Sequence, residues 1–471
     1  MIRIFSLISV LFLFSCQKEV IEPTHPTTAN QPTVDSTKTF TGYRVSPQAR
    51  QMGKKYWDNT EVMLDLYTVY YKNLPKGYDR YGLFLTQLIC GDFNNDGYID
   101  IFDAGVSFNG PKINSSFLIW NPSKLIFEDV SLFNDKTIKF IGGNVGNLKV
   151  TYLNDDNYVD IIVYDNGDEG IPNSPNEPIK IILSDGKGGY DLKVIKTNED
   201  DNPSWKKEGG DIGDLNGDGL DDLVVTCNMF VYIYWGISDF PYFTKDNHAT
   251  FVGDYTNFSN MSNNSFGEKV NGLAGNAGGC RIADVNGDGS NDLIVSKMED
   301  RNHILFPMQS KIYYNLGKGR FSNQSVIDLP FFYDNTDFNV HNIDYIVDDI
   351  NNDGKKDLIC VNQQVNKKTN TWAPWEMFVY EQQKDGSFVI NKNYFTYTIS
   401  STRKEGDGWK SKLVYYDYNG DGIKDVGYIN SADNSGVMKS KTVFIRRGDK
   451  FIEEDFYQYD KYAKSLLSNL K

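Results

Sequence analysis

A nine-residue segment rich in aspartate recurs along the chain and constrains its fold more than any other feature. Five copies share Asp at positions one, five and nine, Asn at position three and Gly at position six: DFNNDGYID (92–100), DLNGDGLDD (214–222), DVNGDGSND (284–292), DINNDGKKD (349–357) and DYNGDGIKD (417–425). A sixth segment, YLNDDNYVD (152–160), has Tyr152 at position one and Asn157 at position six. Such recurrence is typical of a repeat architecture.

The spacing of the copies predicts the repeat unit. Consecutive copies begin 60 to 70 residues apart, and each runs into a short apolar stretch such as DDLVVTC at 221–227. In most periods a glycine-containing turn follows before an aromatic residue, as in NLGKGRF at 315–321. Turn residues between strand-like runs mark antiparallel hairpins. Each period therefore holds about four strands, the content of one propeller blade.

The predicted fold is all-β, a β-propeller of four-stranded blades with the aspartate-rich segments as hairpin loops. The six segments account for six blades over residues 82–456. Residues 41–80 include TEVMLDLYTVYY at 60–71, which fits either part of a loop-free seventh blade or a helical cap on six blades. We favour seven blades and keep six as the alternative.

Five copies of D-x-N-x-D-G-x-x-D at blade spacing resemble the FG-GAP repeat family, also called VCBS, which includes the β-propeller of integrin α chains. The resemblance covers roughly residues 80–456. It implies that each segment is a calcium-binding loop between the first two strands of a blade. It also favours seven blades, because the family is usually seven-bladed.

The chemistry of the loops favours calcium as well. Calcium takes six to eight oxygen ligands, whereas magnesium demands a strict octahedron, and the loops offer no nitrogen or sulfur ligand for zinc or copper. We expect about five Ca²⁺ ions, each bound by the carbonyl at position seven and the side chains at positions one, three, five and nine. These side chains are Asp92, Asn94, Asp96 and Asp100; Asp214, Asn216, Asp218 and Asp222; Asp284, Asn286, Asp288 and Asp292; Asp349, Asn351, Asp353 and Asp357; and Asp417, Asn419, Asp421 and Asp425. Asn154, Asp156 and Asp160 would form a weak sixth site, with Asn157 as the substitute at the left-handed position.

We expect these ions to be structural, because an acidic hairpin repels itself when it holds no cation. The alternative is that one loop keeps an open coordination site for an acidic ligand. The formal net charge of −15 argues against nucleic acid as a partner, because a phosphate backbone would be repelled. Many of the acids are interpreted as metal ligands, and the alternative is that they serve solubility alone.

The first residues predict export and anchoring. Residues 1–16, MIRIFSLISVLFLFSC, hold an apolar run that is too short to span a bilayer and fits a secretory signal peptide. LFSC at 13–16 resembles a bacterial lipobox, which implies lipidation of Cys16; the alternative is an ordinary signal peptide with an incidental cysteine. Residues 17–40 are rich in Thr and Pro and predict a tether that holds a folded body, residues 41–471. The expected location is the bacterial cell envelope, on the periplasmic side or the cell surface, with membrane contact through the lipid alone.

Two groups of residues are candidates for a ligand face. The residue eight positions before each loop should lie near one entrance of the central channel, and Trp205 lies beside this set: Phe84, Asn144, Lys206, Asn276, His341 and Trp409. The Trp, His, Lys and Asn side chains could bind a sugar or a peptide, and ordinary turn and core residues are the alternative. Trp372 and Trp375 flank a proline in a predicted loop, where they could either stack on sugar rings or pack in the core.

The sequence contains no H-E-x-x-H, G-x-S-x-G or phosphate-loop motif. The favoured hypothesis is a non-catalytic cell-envelope lipoprotein whose calcium-stabilised propeller binds a glycan or a protein partner. The alternative is an envelope polysaccharide-degrading enzyme, lyase-like in its chemistry, on the same scaffold. A third hypothesis is a structural subunit of an envelope complex.

Overall fold

The computed structural model describes residues 88–105, 114–142, 145–154, 156–165, 177–201, 207–227, 230–252, 276–298, 309–330, 338–366, 372–398, 411–430, 441–455 and 459. These residues lie within one compact unit, Ser36–Lys471. They form 25 β-strands and two short 3-10 helices, Asn198–Asp201 and Asn323–Ser325. In this part of the chain no helix has the length and apolar character needed to cross a membrane.

The strands form six sheets, each with four consecutive strands paired antiparallel. Blade 1 contains β1 (Leu88–Gly91), β2 (Asp100–Asp103), β3 (Ser116–Asn121) and β4 (Ile126–Val130). Blade 2 contains β5 (Val145–Thr151), β6 (Asp160–Asp165), β7 (Ile179–Ser184) and β8 (Tyr190–Ile195). Blade 3 contains β9 (Lys207–Gly213), β10 (Asp222–Cys227), β11 (Phe230–Tyr234) and β12 (His248–Val252).

The second half of the chain repeats this pattern. Blade 4 contains β13 (Asn276–Ala283), β14 (Asp292–Met298), β15 (Lys311–Tyr313) and β16 (Val326–Asp328). Blade 5 contains β17 (Phe338–Asp348), β18 (Asp357–Asn366), β19 (Trp372–Gln382) and β20 (Phe388–Asn391). Blade 6 contains β22 (Ser411–Tyr416), β23 (Asp425–Asn430), β24 (Lys441–Arg447) and β25 (Lys450–Asp455), and β21 (Phe395–Thr396) adds a parallel fifth strand against β25.

The described residues therefore form a six-bladed β-propeller, which matches the alternative blade count and not the favoured one. The candidate seventh blade at 41–80 lies outside the described residues. The signal peptide at 1–16, including Cys16, and the tether at 17–40 also lie outside them.

All six aspartate-rich segments connect the first strand of a blade to the second. In every copy the ninth residue is the first residue of the second strand: Asp100, Asp160, Asp222, Asp292, Asp357 and Asp425. The six loops thus occupy equivalent positions in the six blades, where the repeat spacing had predicted them.

Apolar side chains fill the spaces between consecutive blades. Successive residues of a strand point to opposite faces of the sheet, so a blade with a neighbour on each side buries both faces. The layer between blades 5 and 6 shows this arrangement. It contains Val361, Trp375 and Met377 from blade 5 together with Tyr428 and Phe444 from blade 6.

The first strands of neighbouring blades contact each other and are linked by polar groups. Lys149 in blade 2 lies 2.7 Å from Asp211 in blade 3, and Asp211 also accepts the N–H of Ile282 in blade 4 at 2.8 Å. Arg281 in blade 4 pairs with Asp344 in blade 5 at 2.9 Å, and Asp344 accepts the N–H of Leu413 in blade 6 at 3.1 Å. Side-chain bonds therefore connect blades 2 to 6 through their first strands.

Replacement of Trp375 by alanine should destabilise the propeller substantially. Trp375 is 0% exposed and its ring centroid lies 4.3 Å from that of Tyr428 across the blade interface. Loss of a buried tryptophan leaves a cavity and costs about 3–5 kcal/mol. The measurement is the denaturant midpoint, with Val194→Ala at a half-exposed position of β8 as the control. An equal shift for both variants would contradict the interface role of Trp375.

Candidate functional site: the aspartate-rich loops

The aspartate at position one organises each intact loop. In all five loops one carboxylate oxygen accepts the N–H of the position-six glycine at 2.8–3.0 Å. The other oxygen accepts the N–H of position four or position five. The loop backbone is therefore wrapped around the first aspartate.

The backbone conformation explains the glycine at position six. Its φ angle lies between 85° and 90° in Gly97, Gly219, Gly289, Gly354 and Gly422. Position four also has a positive φ, from 58° to 79°, and is always Gly or Asn. These residues accept the left-handed region at the least steric cost, so the five loops share one shape.

The side chains at positions three and five lie on the outer side of the loop. The amide oxygen at position three accepts the N–H of position five at 2.8–3.1 Å. The carboxylate at position five accepts the N–H of position seven at 2.8–3.0 Å and is exposed in all five intact loops. These oxygen atoms remain accessible to a cation from solvent.

The aspartate at position nine has a different role, which the sequence did not predict. It is 0% exposed in all six copies. One of its oxygens accepts the N–H of position two at 2.7–3.1 Å. The other accepts a backbone N–H at or just beyond the end of the third strand at 2.8–2.9 Å, from Trp120, Ser184, Gly236, Asn315, Gln382 and Arg446 respectively. This carboxylate joins the loop to the third strand. We call this pair of hydrogen bonds the aspartate lock, and the third-strand residue that donates to it the locked residue.

The donor set of the loops is compatible with a hard cation. It consists of carboxylate, amide and carbonyl oxygens, and an oxygen that accepts one N–H retains a second lone pair. Among the residues that the structure describes, no three Asp, Glu, His or Cys side chains converge on a common point as metal ligands would. The side chains of positions one, three, five and nine, with the carbonyl of position seven, remain the groups predicted to hold the ion.

Burial raises the pKa of the position-nine carboxyls. The cost of removing the charge from water raises the pKa of Asp160 and Asp222 to about 7, and that of Asp292 and Asp425 to about 6. The same cause raises the pKa of Asp100 and Asp357. The accepted N–H groups act in the opposite direction but do not offset the burial.

The sixth loop keeps the hydrogen bonds of positions nine and five but not the left-handed conformation at position six. Asp160 accepts the N–H groups of Leu153 and Ser184, as in the intact copies. Asp156 still accepts the N–H of Tyr158 at 2.8 Å. Asn157 does not occur among the described residues with a positive φ, so the expectation that it replaces glycine in the left-handed region is wrong.

Side chains also reach from one blade to the loop of the blade before it. The carbonyl at position two accepts Tyr190 Oη at Phe93, Asn315 Nδ2 at Leu215, and Arg446 Nη2 at Ile350. These bonds tie the loops of blades 1, 3 and 5 to the next blade. The sequence analysis did not predict these bonds. A polar residue near the end of a third strand, such as Asn315 or Arg446, was the signal that could have indicated them.

The two candidate tryptophans lie in a strand and not in a loop. Trp372 is the first residue of β19, and Trp375 lies within the same strand. Trp375 is 0% exposed and packs against Tyr428 and Phe444 of blade 6. A fully buried ring cannot stack on a sugar, so Trp375 belongs to the core and the predicted stacking role for it is wrong.

The predicted ring at the channel entrance is only partly described. Asn276 begins β13, and His341 lies in the first half of β17. Both are therefore nearer to the strand ends that lie opposite the aspartate-rich loops. The other candidates lie outside the described residues: Phe84, Asn144, Trp205, Lys206 and Trp409. The ring stays a prediction.

A family comparison bears on the two last blades. Residues 349–428, from the loop of blade 5 into β23 of blade 6, match a family model. That family is the FG-GAP-like repeat. The match and the six-bladed propeller together support the FG-GAP propeller family. No curated protein is significantly similar to the chain.

Several solved structures are similar over most of the chain at low identity. An Agrocybe aegerita lectin, described as recognising non-reducing terminal N-acetylglucosamine, is 16% identical with a TM-score of 0.41, over 81% of this chain and 84% of that chain. The V. cholerae biofilm matrix protein Bap1 is 12% identical with a TM-score of 0.32, over 78% and 81%. An exo-β-1,3-galactanase from Clostridium thermocellum is 10% identical with a TM-score of 0.33, over 80% and 77%. Similarities of this size carry no argument about function.

Substitution at position nine should destabilise the protein even without calcium, whereas substitution at position five should not. Asp292→Asn removes one of two acceptors for the buried N–H groups of Val285 and Asn315, and a buried N–H left without a partner costs about 1–3 kcal/mol. Asp288→Asn changes an exposed side chain of the same loop and should stay within about 0.5 kcal/mol. Denaturant unfolding in a chelator makes the comparison. Equal destabilisation by both variants would rule out the lock at position nine.

The calcium-free protein should lose stability as pH rises from about 5 to about 7.5. The unfolded aspartates have a pKa near 3.9, whereas those of folded Asp222 and Asp160 are about 7. The folded state therefore binds more protons in this window, and stability falls as pH rises. Melting temperatures in a chelator across the window test the sign. A melting temperature that increases with pH would show that these carboxyls are not the controlling groups.

Proposed function

We propose that this protein is a non-catalytic binding protein of the bacterial cell envelope. In this proposal, calcium ions stiffen its FG-GAP propeller, a lipid on Cys16 anchors it, and residues 17–40 hold the propeller away from the membrane. The propeller presents a face to a glycan or a protein partner. The observation that carries the proposal is the common conformation of five loops whose side chains offer only oxygen ligands.

The shape of the loops supports a cation at the outer side of each one. Positions one, three and five present oxygens around a backbone that is already turned, with Gly at position six. Asp at position five is exposed in each intact loop and meets solvent directly. A bound divalent cation would neutralise these acids and hold the loop closed.

The charge of the chain supports the same conclusion. Each intact loop carries three or four aspartates within nine residues, and the chain has a formal net charge of −15. Like charges at this separation repel, so the loops gain from a counter-ion. About five divalent cations would offset most of the formal excess of negative charge.

The rigidity of the loops supports binding more than catalysis. The buried acid of each loop accepts two backbone N–H groups, which restrains it in one orientation. A general acid or base needs access to a substrate proton, and a carboxylate enclosed between a loop and a strand has none. The loops therefore suit a frame that displays a surface.

Calcium should raise the melting temperature of the full chain strongly, with saturation near five ions. Asp288→Asn should lower the stoichiometry by one because it removes a carboxylate from one loop. Asp239→Asn, an exposed acid outside the loops, is the matched control and should leave the stoichiometry unchanged. The measurements are calorimetric titration of chelator-treated protein and thermal unfolding with and without calcium. Absence of any calcium effect would overturn the proposal.

A glycan array probed with the calcium-loaded protein tests the binding role. Retention of glycans without release of shorter products supports a binding protein. Release of products from acidic polysaccharide would favour the lyase-like enzyme instead, and this outcome would contradict the non-catalytic proposal.

A further inference from the structure

The six blades can be compared at one position that the aspartate lock defines. The residue that precedes the locked third-strand residue is Ile119, Leu183, Trp235, Tyr314, Glu381 or Ile445 in blades 1 to 6. Five of the six are apolar or aromatic, and blade 5 alone has an acid there. In blade 3 this residue, Trp235, lies beside the hairpin of the following blade, so the acid in blade 5 bears on the interface between blades 5 and 6.

The interface between blades 3 and 4 shows what the apolar residue does. The Trp235 ring lies under the hairpin of blade 4, and a Cβ added at Gly319 would lie 2.6 Å from it. Tryptophan therefore fills the space, and glycine is required above it. In blades 5 and 6 the equivalent residues are Glu381 and Lys450, because Gly319 and Lys450 each lie four residues after the locked residue.

A pocket lies between blades 5 and 6 at the equivalent place. Its volume is about 280 Å³, close to the lower limit of about 300 Å³ for small-molecule sites. Its polar lining comes from the loop of blade 5, the turn after β20 and the hairpin of blade 6: Asn351, Asn352, Asn391, Asn393, Arg446 and Lys450. Tyr394 and Ile350 are buried at its base.

Hydrogen bonds hold the walls of the pocket in place. Glu381 accepts Asn391 Nδ2 at 3.1 Å and Tyr394 Oη at 2.5 Å. Lys450 Nζ donates to the carbonyl of Asn393 at 2.7 Å, and Arg446 Nη2 donates to the carbonyl of Ile350 at 2.6 Å. A guanidinium has five donors and an ammonium has three, so these bonds do not exhaust either group. The pocket is therefore a preformed polar site.

The chemistry of the lining selects a neutral polyhydroxylated ligand. Two acids offset the positive charges of Arg446 and Lys450: Asp449 in the lining lies 3.9 Å from Lys450 Nζ, and Glu381 accepts hydrogen bonds from the lining residues Asn391 and Tyr394. An anion therefore gains no net attraction. An asparagine amide has two donor hydrogens and an oxygen with two lone pairs, so Asn391 and Asn351 retain donor and acceptor capacity beside the bonds that they make within the protein. Amides of this kind match adjacent hydroxyl groups that donate and accept in turn.

We propose that the pocket between blades 5 and 6 binds one neutral sugar unit of a glycan. The inference rests on the proposed binding function and specifies its site and ligand class. Asn351 is position three of the blade 5 loop, so the loop expected to hold calcium also forms one wall of the pocket. Sugar binding should therefore weaken in a chelator.

The probes are methyl glycosides of glucose, galactose and mannose, each paired with its uronoside, in which a carboxylate replaces the primary alcohol. Ligand-observed NMR titration of the calcium-loaded full chain measures each Kd. At least one neutral glycoside should bind, and more tightly than its own uronoside. Failure of all three neutral glycosides, or tighter binding of the uronosides, would overturn the inference.

Substitutions distinguish this pocket from other surfaces. Asn393→Trp places a large ring at the exposed rim and should abolish binding. Lys450→Ala should raise Kd by about tenfold or more, equivalent to about 1.4 kcal/mol. The matched controls are Val194→Trp on half-exposed β8 and Arg447→Ala, whose side chain pairs with Glu454 away from the pocket. Both controls should keep Kd within about twofold, a change below about 0.5 kcal/mol.

The glycan array separates the two proposals. Array binding that persists in Asn393→Trp would show that the sugar binds elsewhere, so the pocket inference would fail and the binding function would stand. Loss of array binding in Asn393→Trp, with calcium stabilisation intact, would support both. No array binding by the wild-type protein would overturn the pocket inference, and no calcium stabilisation would overturn the proposed function itself.

Discussion

The buried carboxylate at position nine is the interaction on which the blade depends. One oxygen holds the loop and the other holds the third strand, so a single side chain joins three segments that are separated in the chain. Backbone N–H groups buried without a partner are costly, and the third strand ends where no antiparallel neighbour supplies the acceptor. The six repetitions of this bond fix the position of every third strand relative to its loop. They also place each hairpin against the loop of the preceding blade.

The same constraint limits what the loops can do. A carboxylate that accepts two N–H groups in a buried place is held in one orientation, although each of its oxygens retains a second lone pair. The position-five carboxylate is exposed in all five intact loops, whereas Asp92 and Asp214 at position one are buried, so the loop has an inner side that faces the blade and an outer side that faces solvent. The raised pKa of Asp222, about 7, reflects the cost of keeping the inner carboxylate charged. Under the proposed function, a cation would add rigidity to the loop while the bonds of position nine remain in place.

Much of this architecture could be predicted from the sequence, because the spacing and composition of the repeat determine where the loops and the second strands lie. The recurrence of Asp, Asn and Gly located the six loops, and the apolar runs after them located the second strands. The face of the sheet on which each side chain lies could not be predicted. Both faces of a propeller blade are buried, so the alternation of apolar and polar residues does not distinguish them. Trp375, which was predicted to lie in a loop and is buried between two blades, is an example. The hydrogen bonds of position nine were also hidden, since the sequence shows Asp222 but not the N–H groups of Leu215 and Gly236 that it accepts. The pocket depends on a contact between Ile350 and Arg446, which are 96 residues apart.

Because the blades repeat, equivalent positions of different blades can be compared directly. The backbone around the lock is the same in all six, so the residue before it is free to vary without disturbing the fold. An apolar residue there packs under the next hairpin, and Trp235 does so to the point where only glycine fits above it. Glu381 cannot pack in this way; it must be hydrogen-bonded, and Tyr394 and Asn391 supply the bonds. At the interface between blades 5 and 6, a polar space therefore replaces the apolar packing. A partly buried acid is costly unless it is hydrogen-bonded, and the partners of Glu381, Asn391 and Tyr394, line the pocket.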